Sequence, residues 1–516
     1  MTKIESFFIV TVFITLTVFL PFAHAADIYV NSFAQTSTDP TVCTLSQAIA
    51  AANGDSVVGG CSAGSGTDTI HLPAGIYELN SASNSSLGGT GLPPVTTEIE
   101  IIGSSGGSGT PTGPTRGADP ANTVITRTGQ NYFRLFSVSS SGNLTLIDLT
   151  LSNGYPAAPY TGGAIRVNLN GLLTLDHCIV TNNRAASGGG VDNFQGTVNI
   201  INDTILSNNE ATTDDGGSIY NNGGQVLVID STITTSTAHN AGGGIYNTSA
   251  GNITLTRTII SSNQAGDGGG TYNANSSSLS ARYCSFTDNS ATDQGGGVDN
   301  TDGILSIFSS TFANNQAGSA GGGLVSGGLD DASTEIINST VSGNSAGTMA
   351  GGIAVMGSFN AVNITITANT STSSGGGVAI SQSNAIFYNS IIAGNNSTNT
   401  NDNDYLGTIN GDHNLIGGDP ELGPLQDNGG PTLTHLPQNN SPAIDAGDSS
   451  RISGVSLDQR GNGYPRIVNG TVDIGACEVQ IAPSVPTLGE WGAFLLVLLL
   501  ATIAWRKQRD NFNSRL

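Results

Sequence analysis

Carboxylates and tyrosines are the side chains of this sequence best placed to do chemistry. Three acidic pairs stand out, Asp214-Asp215, Asp330-Asp331 and Asp402-Asn-Asp404. Two carboxylates flanking a glycosidic bond can hydrolyse it. A second set, Asp192, Tyr220, Tyr246, Tyr272 and Asp299, recurs just after glycine clusters at near-constant spacing. Their neighbours Val191, Ile219, Ile245 and Val298 are apolar and should point inward, so these five should point out. Three stacked tyrosines flanked by carboxylates would offer a flat aromatic platform to sugar rings. The alternative is that they stack on one another and shield the strands, an effect of ~0.2–1 kcal/mol per pair. His71, His177, His239, His413 and His435 are scattered without metal-ligand spacing. Asn401-Asp-Asn-Asp404 lacks the glycine of a calcium-binding EF-hand turn and reads as a solvated acidic loop. We expect no catalytic residue, metal or cofactor.

Charge narrows the partners. Of 38 acidic side chains, all but Glu5, Glu490 and Asp510 fall in residues 26–480. Lysine occurs only at Lys3 and Lys507, and the ten basic residues of that stretch are all arginine. A body with a net charge this negative has no field for nucleic acid. Lysine-based catalysis is excluded from it. The charged fraction of 10%, against ~25% in an average globular protein, also argues against a charge-driven disordered chain.

The elements that must position these residues follow from a repeat. Asn183, Asn209, Ser236, Asn263, Asn289, Asn315, Asn344, Asn369 and Asn395 recur about every 26 residues. Three positions before each lies an apolar residue, Val180, Leu206, Ile233, Ile260, Phe286, Phe312, Val341, Ile366 and Ile392. Two positions earlier again the residue is small in eight of nine cases, from Cys178 to Ser390, which places both columns on one face of a strand. Glycine clusters follow, as in Gly188-Gly-Gly190 and Gly242-Gly-Gly244. Short β-type runs at a period far too long for one hairpin predict an all-β fold, a single-stranded parallel β-helix of about 26 residues per coil. The crossover rule makes it right-handed. Like side chains then stack at ~4.8 Å, giving apolar columns inside and asparagine ladders at the turns.

Before the repeats, Leu45, Ala48, Ile49 and Ala52 are spaced for a short helix that would cover the open end of the solenoid. Cys43 and Cys61 are expected to form a disulfide worth roughly 3 kcal/mol. Cys178 and Cys284 share a column four coils apart, ~19 Å, beyond disulfide reach. Cys477 has no evident partner.

Several segments resemble known families. Gly162-Gly-Ala-Ile165, Phe286-Thr-Asp-Asn289 and Phe312-Ala-Asn-Asn315 are similar to the GGAI and FxxN elements of polymorphic outer-membrane proteins, which are surface adhesins. The membrane β-barrel of those proteins has no counterpart here. Cys43-Thr-Leu-Ser-Gln-Ala-Ile49 resembles the CSLREA-type N-terminus of secreted bacterial β-helix proteins, with Ser and Gln at two of its usual positions. Asn414-Leu-Ile-Gly-Gly-Asp-Pro420, Ser441-Pro-Ala-Ile-Asp-Ala-Gly447, Asp458-Gln-Arg460 and Asp473-Ile-Gly-Ala-Cys-Glu478 look like the choice-of-anchor Q domain. Asp445, Asp458, Arg460, Arg466, Asp473 and Glu478 would most simply form a structural ion-pair network there.

The two ends read as addresses. Lys3, an apolar run from Phe7 to Phe22 and Ala23-His24-Ala25 form a secretory signal cut between Ala25 and Ala26, the alternative being a retained anchor. At the other end Val485, Pro486, Thr487, Leu488, Trp491 and Gly492 precede an apolar run and the basic cluster Arg506, Lys507 and Arg509. This arrangement resembles the IPTL-CTERM sorting signal, with Val485 where isoleucine is usual. The resemblance implies processing by an exosortase-like enzyme, and a plain C-terminal membrane anchor is the alternative.

The chain therefore divides into a signal peptide (1–25), an N-terminal cap with the first coils (26–115) and the repeats (116–396). A choice-of-anchor Q-like region (397–480), a linker with sorting motif (481–492), a transmembrane segment (493–505) and a basic cytoplasmic tail (506–516) follow. The expected protein is exported to the envelope, surface or extracellular matrix of a Gram-negative-type bacterium. There it would act as an adhesin binding extracellular polysaccharide, matrix or another cell. The runner-up is a lyase or glycosidase acting along the helix groove, although the GHG and RxK elements of polygalacturonases are missing.

Overall fold

The computed structural model describes residues 26–85, 88–104, 119–328, 332–381, 385–399, 401–452, 454–480 and 488–513. They form the expected parallel β-helix, of about 11 turns and about 26 residues per turn. One coil shows the pattern. A five-residue strand (Thr197–Ile201) meets a three-residue strand (Ile205–Ser207) at a corner, then come Glu210–Ala211, a glycine cluster and Ile219–Asn222. Stacked coil on coil, these make four parallel sheets of 13, 13, 9 and 11 strands among the described residues. We number them first to fourth in the order in which the coil visits them.

Register is held by side chains that repeat in kind. In the second sheet Val180, Leu206, Ile233 and Ile260 pair in successive coils and are wholly buried. Phe286 stacks on Phe312 in the same column at 4.7 Å between ring centres. A one-residue slip would turn each such column to solvent. The asparagine ladder forms as expected: where asparagines adjoin, the backbone N–H and side-chain amide of one donate to the Oδ1 of the next, as from Asn263 to Asn289 and from Asn289 to Asn315, and Ser236 Oγ accepts from Asn209 N–H in the interrupted coil. Asp404 takes the last place, accepting from the backbone and side chain of Asn395. The acidic loop at 402–404 is thus part of the ladder and not merely solvated.

The glycine clusters have two separate causes. Gly242 has φ +67°, in the left-handed region that β-carbons disfavour. A Cβ on Gly243 would lie 2.3 Å from the carbonyl oxygen of Gly269 in the next coil. The first glycine turns the corner and the second lets the coils approach.

The ends are closed differently. Helix α1 (Leu45–Gly54) starts in a capping box between Thr44 and Gln47, and it buries Leu45, Ala48, Ile49, Ala51 and Ala52 in the same core as Ile28 and Ile70. The Cys43–Cys61 disulfide ties it down. At the other end Tyr405–Leu406 and Leu415–Ile416 add a last partial coil, so strand stacking runs past residue 397. The chain then folds back over the outer face of the second sheet. Gln459 donates to Ser310 O and Thr311 Oγ1 and accepts from Thr340, while Ser342 bonds His435 and Ala476 N–H donates to Thr365 Oγ1. Helix α2 (Leu488–Asn513) contains the expected transmembrane segment 493–505. Among the described residues no helix is long and apolar enough to cross a membrane. Ala25, Val485, Pro486 and Thr487 lie outside the described residues, as do Asp330, Asp331 and the side chains of Leu488 and Trp491.

Candidate binding site

The fourth sheet brings the expected column together. Arg166, Asp192, Tyr220, Tyr246, Tyr272 and Asp299 stand in register on six successive coils. The residues on one side of them, including Ile165, Val191, Ile219, Ile245 and Val298, are wholly buried in the core. On the other side Asn193, Asn221, Asn247, Asn273 and Asn300 form a second, buried amide ladder with links of 2.7–2.8 Å. The column is therefore clamped between two inward rows, and its side chains leave the sheet on the outer face.

Two details differ from the expectation. The tyrosines do not form a flat platform. Neighbouring rings lie 5.5 and 5.3 Å apart, 10° and 3° from parallel. Coils ~4.8 Å apart leave no room for side-by-side rings, so each ring covers its neighbour's face in offset stacking. Ring edges and hydroxyls are what the half-buried column can present. The flanking aspartates are not solvent-facing either: Asp192 is 2% exposed and Asp299 3%.

Burial sets the protonation of the column. It raises Tyr220 to about 12, with the repulsion of Tyr246, Asp215 and Asp192 adding to it, and it also raises Tyr246 and Tyr272. These hydroxyls keep their protons and can donate. Burial pushes the Asp299 carboxyl up to about 7, opposed by the hydrogen bond from Thr301 and helped by Asp267 and Asp293. Asp215, whose carboxylate accepts from Ala241 N–H at 3.1 Å, is raised to about 6 by burial and by Asp214 beside it. The pair Asp214-Asp215 thus borders the tyrosine column. Below Asp299 the column continues as Val325, Ala354 and Ala379, which pack on Ala320 and Ala350 and close the polar surface.

Above the tyrosines lies a feature that sequence reasoning missed. Arg166 bonds Asp192 at 2.7 Å, and Thr161 bridges the two. Buried Arg134 donates to the carbonyl of Thr161 from the same side. Burial and the like charge of Arg166 lower the Arg134 guanidinium to about 10. Both arginines line a pocket of 550 Å³ together with Asn84, Asn168, Leu169 and Phe194. The signal was present in the sequence. Gly162-Gly-Ala-Ile165 aligns with Gly188-Gly-Gly-Val191, which puts Arg166 one coil above Asp192.

The remaining candidates are structural. Cys178, Cys284 and Cys477 are buried free thiols, each raised to about 12 by burial. Arg460 pairs with Asp458 at 2.6 Å, and Arg466 donates to three carbonyls beside Glu478. Asp473 accepts from Asp445 N–H. Asp458, Arg460, Arg466, Asp473 and Glu478 form a buried network that folds the C-terminal segment, and exposed Asp445 joins it only through its backbone N–H. Asp412, His413 and Asp448 have ligand atoms close enough for a cation, but Arg451 bonds Asp412 at 2.9 Å and already supplies the positive charge.

Residues 483–510 match the IPTL-CTERM motif. The chain is similar to the crystal structure of pectate lyase Pel9A, at 15% identity and TM-score 0.40, over 89% of this chain and 98% of that one. It is also similar to the A-module of the Azotobacter vinelandii mannuronan C-5 epimerase AlgE6, at 13% identity and TM-score 0.30, over 69% and 92%. No curated protein matches. Fold and tail together define a parallel β-helix protein that ends in a sorting motif, the mark of a secreted or cell-surface protein.

Proposed function

We propose that the protein is an exported, surface-sorted β-helix whose fourth sheet binds extracellular polysaccharide, as an adhesin or matrix component. The observation that carries this reading is the unbroken outer column from Arg166 to Asp299, with three protonated tyrosine hydroxyls in line. Donors repeating every ~4.8 Å suit a ligand that itself repeats at about that length. In keeping with a secretory signal at 1–25 and the tail motif, the ligand would be met outside the cell.

A second reading has one observation in its favour. Asp192 and Asp215 both act on Tyr220, and Arg166 holds Asp192. A carboxyl raised to about 6 can serve as a general acid, so a lyase or hydrolase is the alternative. Against it, Tyr220, raised to about 12, keeps its proton near neutral pH and has almost no base form to offer. Incubating the purified protein with bacterial and plant polysaccharides on a sizing column separates the two. Co-elution with intact polymer supports binding, whereas a shift of polymer to smaller size overturns it in favour of catalysis.

A further inference from the structure

The pocket at the upper end of the column has a chemistry unlike the rest of the molecule. Arg134 and Arg166 share one cavity and a common carboxylate, Asp192, whereas Arg257 and Arg460, which line a second cavity, each pair with a carboxylate of their own, Asp230 and Asp458. Among the arginines at the surface, Arg184 meets Glu210, Arg257 meets Asp230 and Arg451 meets Asp412, while Arg282 lies over the ring of Phe308. The pocket therefore carries an excess positive charge on an otherwise strongly negative body.

Its donors are also placed for an acceptor from outside. The Nε of Arg166 donates to Asn168, and its Nη1 donates to Thr161 and Asp192. Its Nη2 has no acceptor among the described residues. The guanidinium carbon lies 5.5 Å from the ring centre of Phe194, within cation–π range. Phe194 and Leu169, 37% and 45% exposed, give the mouth an apolar side. Asn84, Ser137, Ser139, Ser140 and Thr90 supply hydroxyls and amides. A cavity of 550 Å³ is of the size that holds a small ligand.

A carboxylate to pair with arginine, hydroxyls for the polar wall and a C–H face for Phe194 are the parts of one acidic sugar. We propose that this pocket is the subsite for a single carboxylate-bearing sugar unit in a chain whose neutral units run along the tyrosines. The proposal rests on the reading that the column binds polysaccharide, and it deepens that reading. From Arg166 to Tyr272 is four coil steps, ~19 Å, the length of several sugar units. A chain charged at every unit does not fit, because Asp215, Asp267 and Asp299 border the column below the pocket. A sparse acid does.

The test uses the full-length protein with D-glucuronate and D-galacturonate as probes, read by saturation-transfer NMR and calorimetry. Glucose, galactose, the uronate methyl esters and inorganic sulfate are the controls. Binding of free uronate at millimolar concentration is expected, with esters and neutral sugars more than about tenfold weaker and sulfate unable to displace it. Arg166→Gln should abolish this preference. Because that change also frees buried Asp192, Leu169→Asp at the exposed mouth is the second variant, and repulsion should weaken uronate by more than about tenfold without disturbing the fold. Equal binding of uronate and neutral sugar, displacement by equal sulfate, or indifference of both variants overturns the subsite. Polymer binding that Tyr246→Ala weakens but that ignores the carboxylate leaves the column standing and removes the subsite. Uronate binding without any polymer binding does the reverse.

Discussion

The asparagines do for this molecule what backbone pairing does for a single sheet. Asn289 Oδ1 accepts from the backbone and side chain of Asn263, and its Nδ2 donates to Ile260 O and to Asn315. Asn289→Ala orphans those buried groups at ~1–3 kcal/mol each, so urea unfolding should show a loss of about 3 kcal/mol or more. Thr271 is the opposite case. It fills a core position where neighbouring coils have Ile245 and Val298, and its buried Oγ1 has no partner among the described residues. Thr271→Val keeps the shape and should stabilise by about 1 kcal/mol in the same assay. Asp299 links stability to pH. Its folded carboxyl titrates at about 7, above the ~3.9 of an unfolded aspartate, so the folded state holds the extra proton between the two. Stability should fall as pH rises from ~4 to ~7 and stay low above that. Asp299→Asn keeps an acceptor for Thr301 and should flatten this fall, adding up to about 4 kcal/mol at pH 8 and little at pH 4 in melts at both values. The ladder asparagines were legible because they fill eight of nine recurring positions, with Ser236 in the other. The second ladder was not, because Asn221 and Asn247 directly follow the tyrosines and only their burial reveals the separate role.

At the level of elements, the period and its apolar columns gave the solenoid, and the spacing of Leu45, Ala48, Ile49 and Ala52 gave the cap. Reducing Cys43–Cys61 frees a loop of 18 residues and removes roughly 3 kcal/mol of support from α1. We expect reduced protein, or Cys43→Ser, to expose the first coil and form larger species by light scattering while the repeats keep their β-type circular dichroism. The return of the C-terminal segment over the second sheet was not legible. Its contacts join residues more than 100 positions apart, such as Gln459 and Thr340, and no local pattern encodes a partner that far away. Ring orientation was hidden for a related reason: alternation tells which way Tyr246 leaves the strand, but the coil spacing decides which part of the ring is left uncovered.

Across the whole molecule the net charge is strongly negative, and the arginine pocket at one end of the tyrosine column is a local reversal of sign. Composition made the charge plain, but it could not show that Arg134 and Arg166 converge. The tail motif is that of a secreted or cell-surface protein, and under the proposed function the fourth sheet is the face that should meet the ligand. Hydroxyl-radical footprinting with and without a polysaccharide that co-elutes with the protein tests this most directly, since tyrosine and phenylalanine report their own exposure. Protection of Tyr220, Tyr246, Tyr272 and Phe194, with Tyr132 and Tyr29 unchanged as exposed controls on the same molecule, is the expected result. Unchanged oxidation of the column while polymer is bound, or protection confined to other faces, would contradict it.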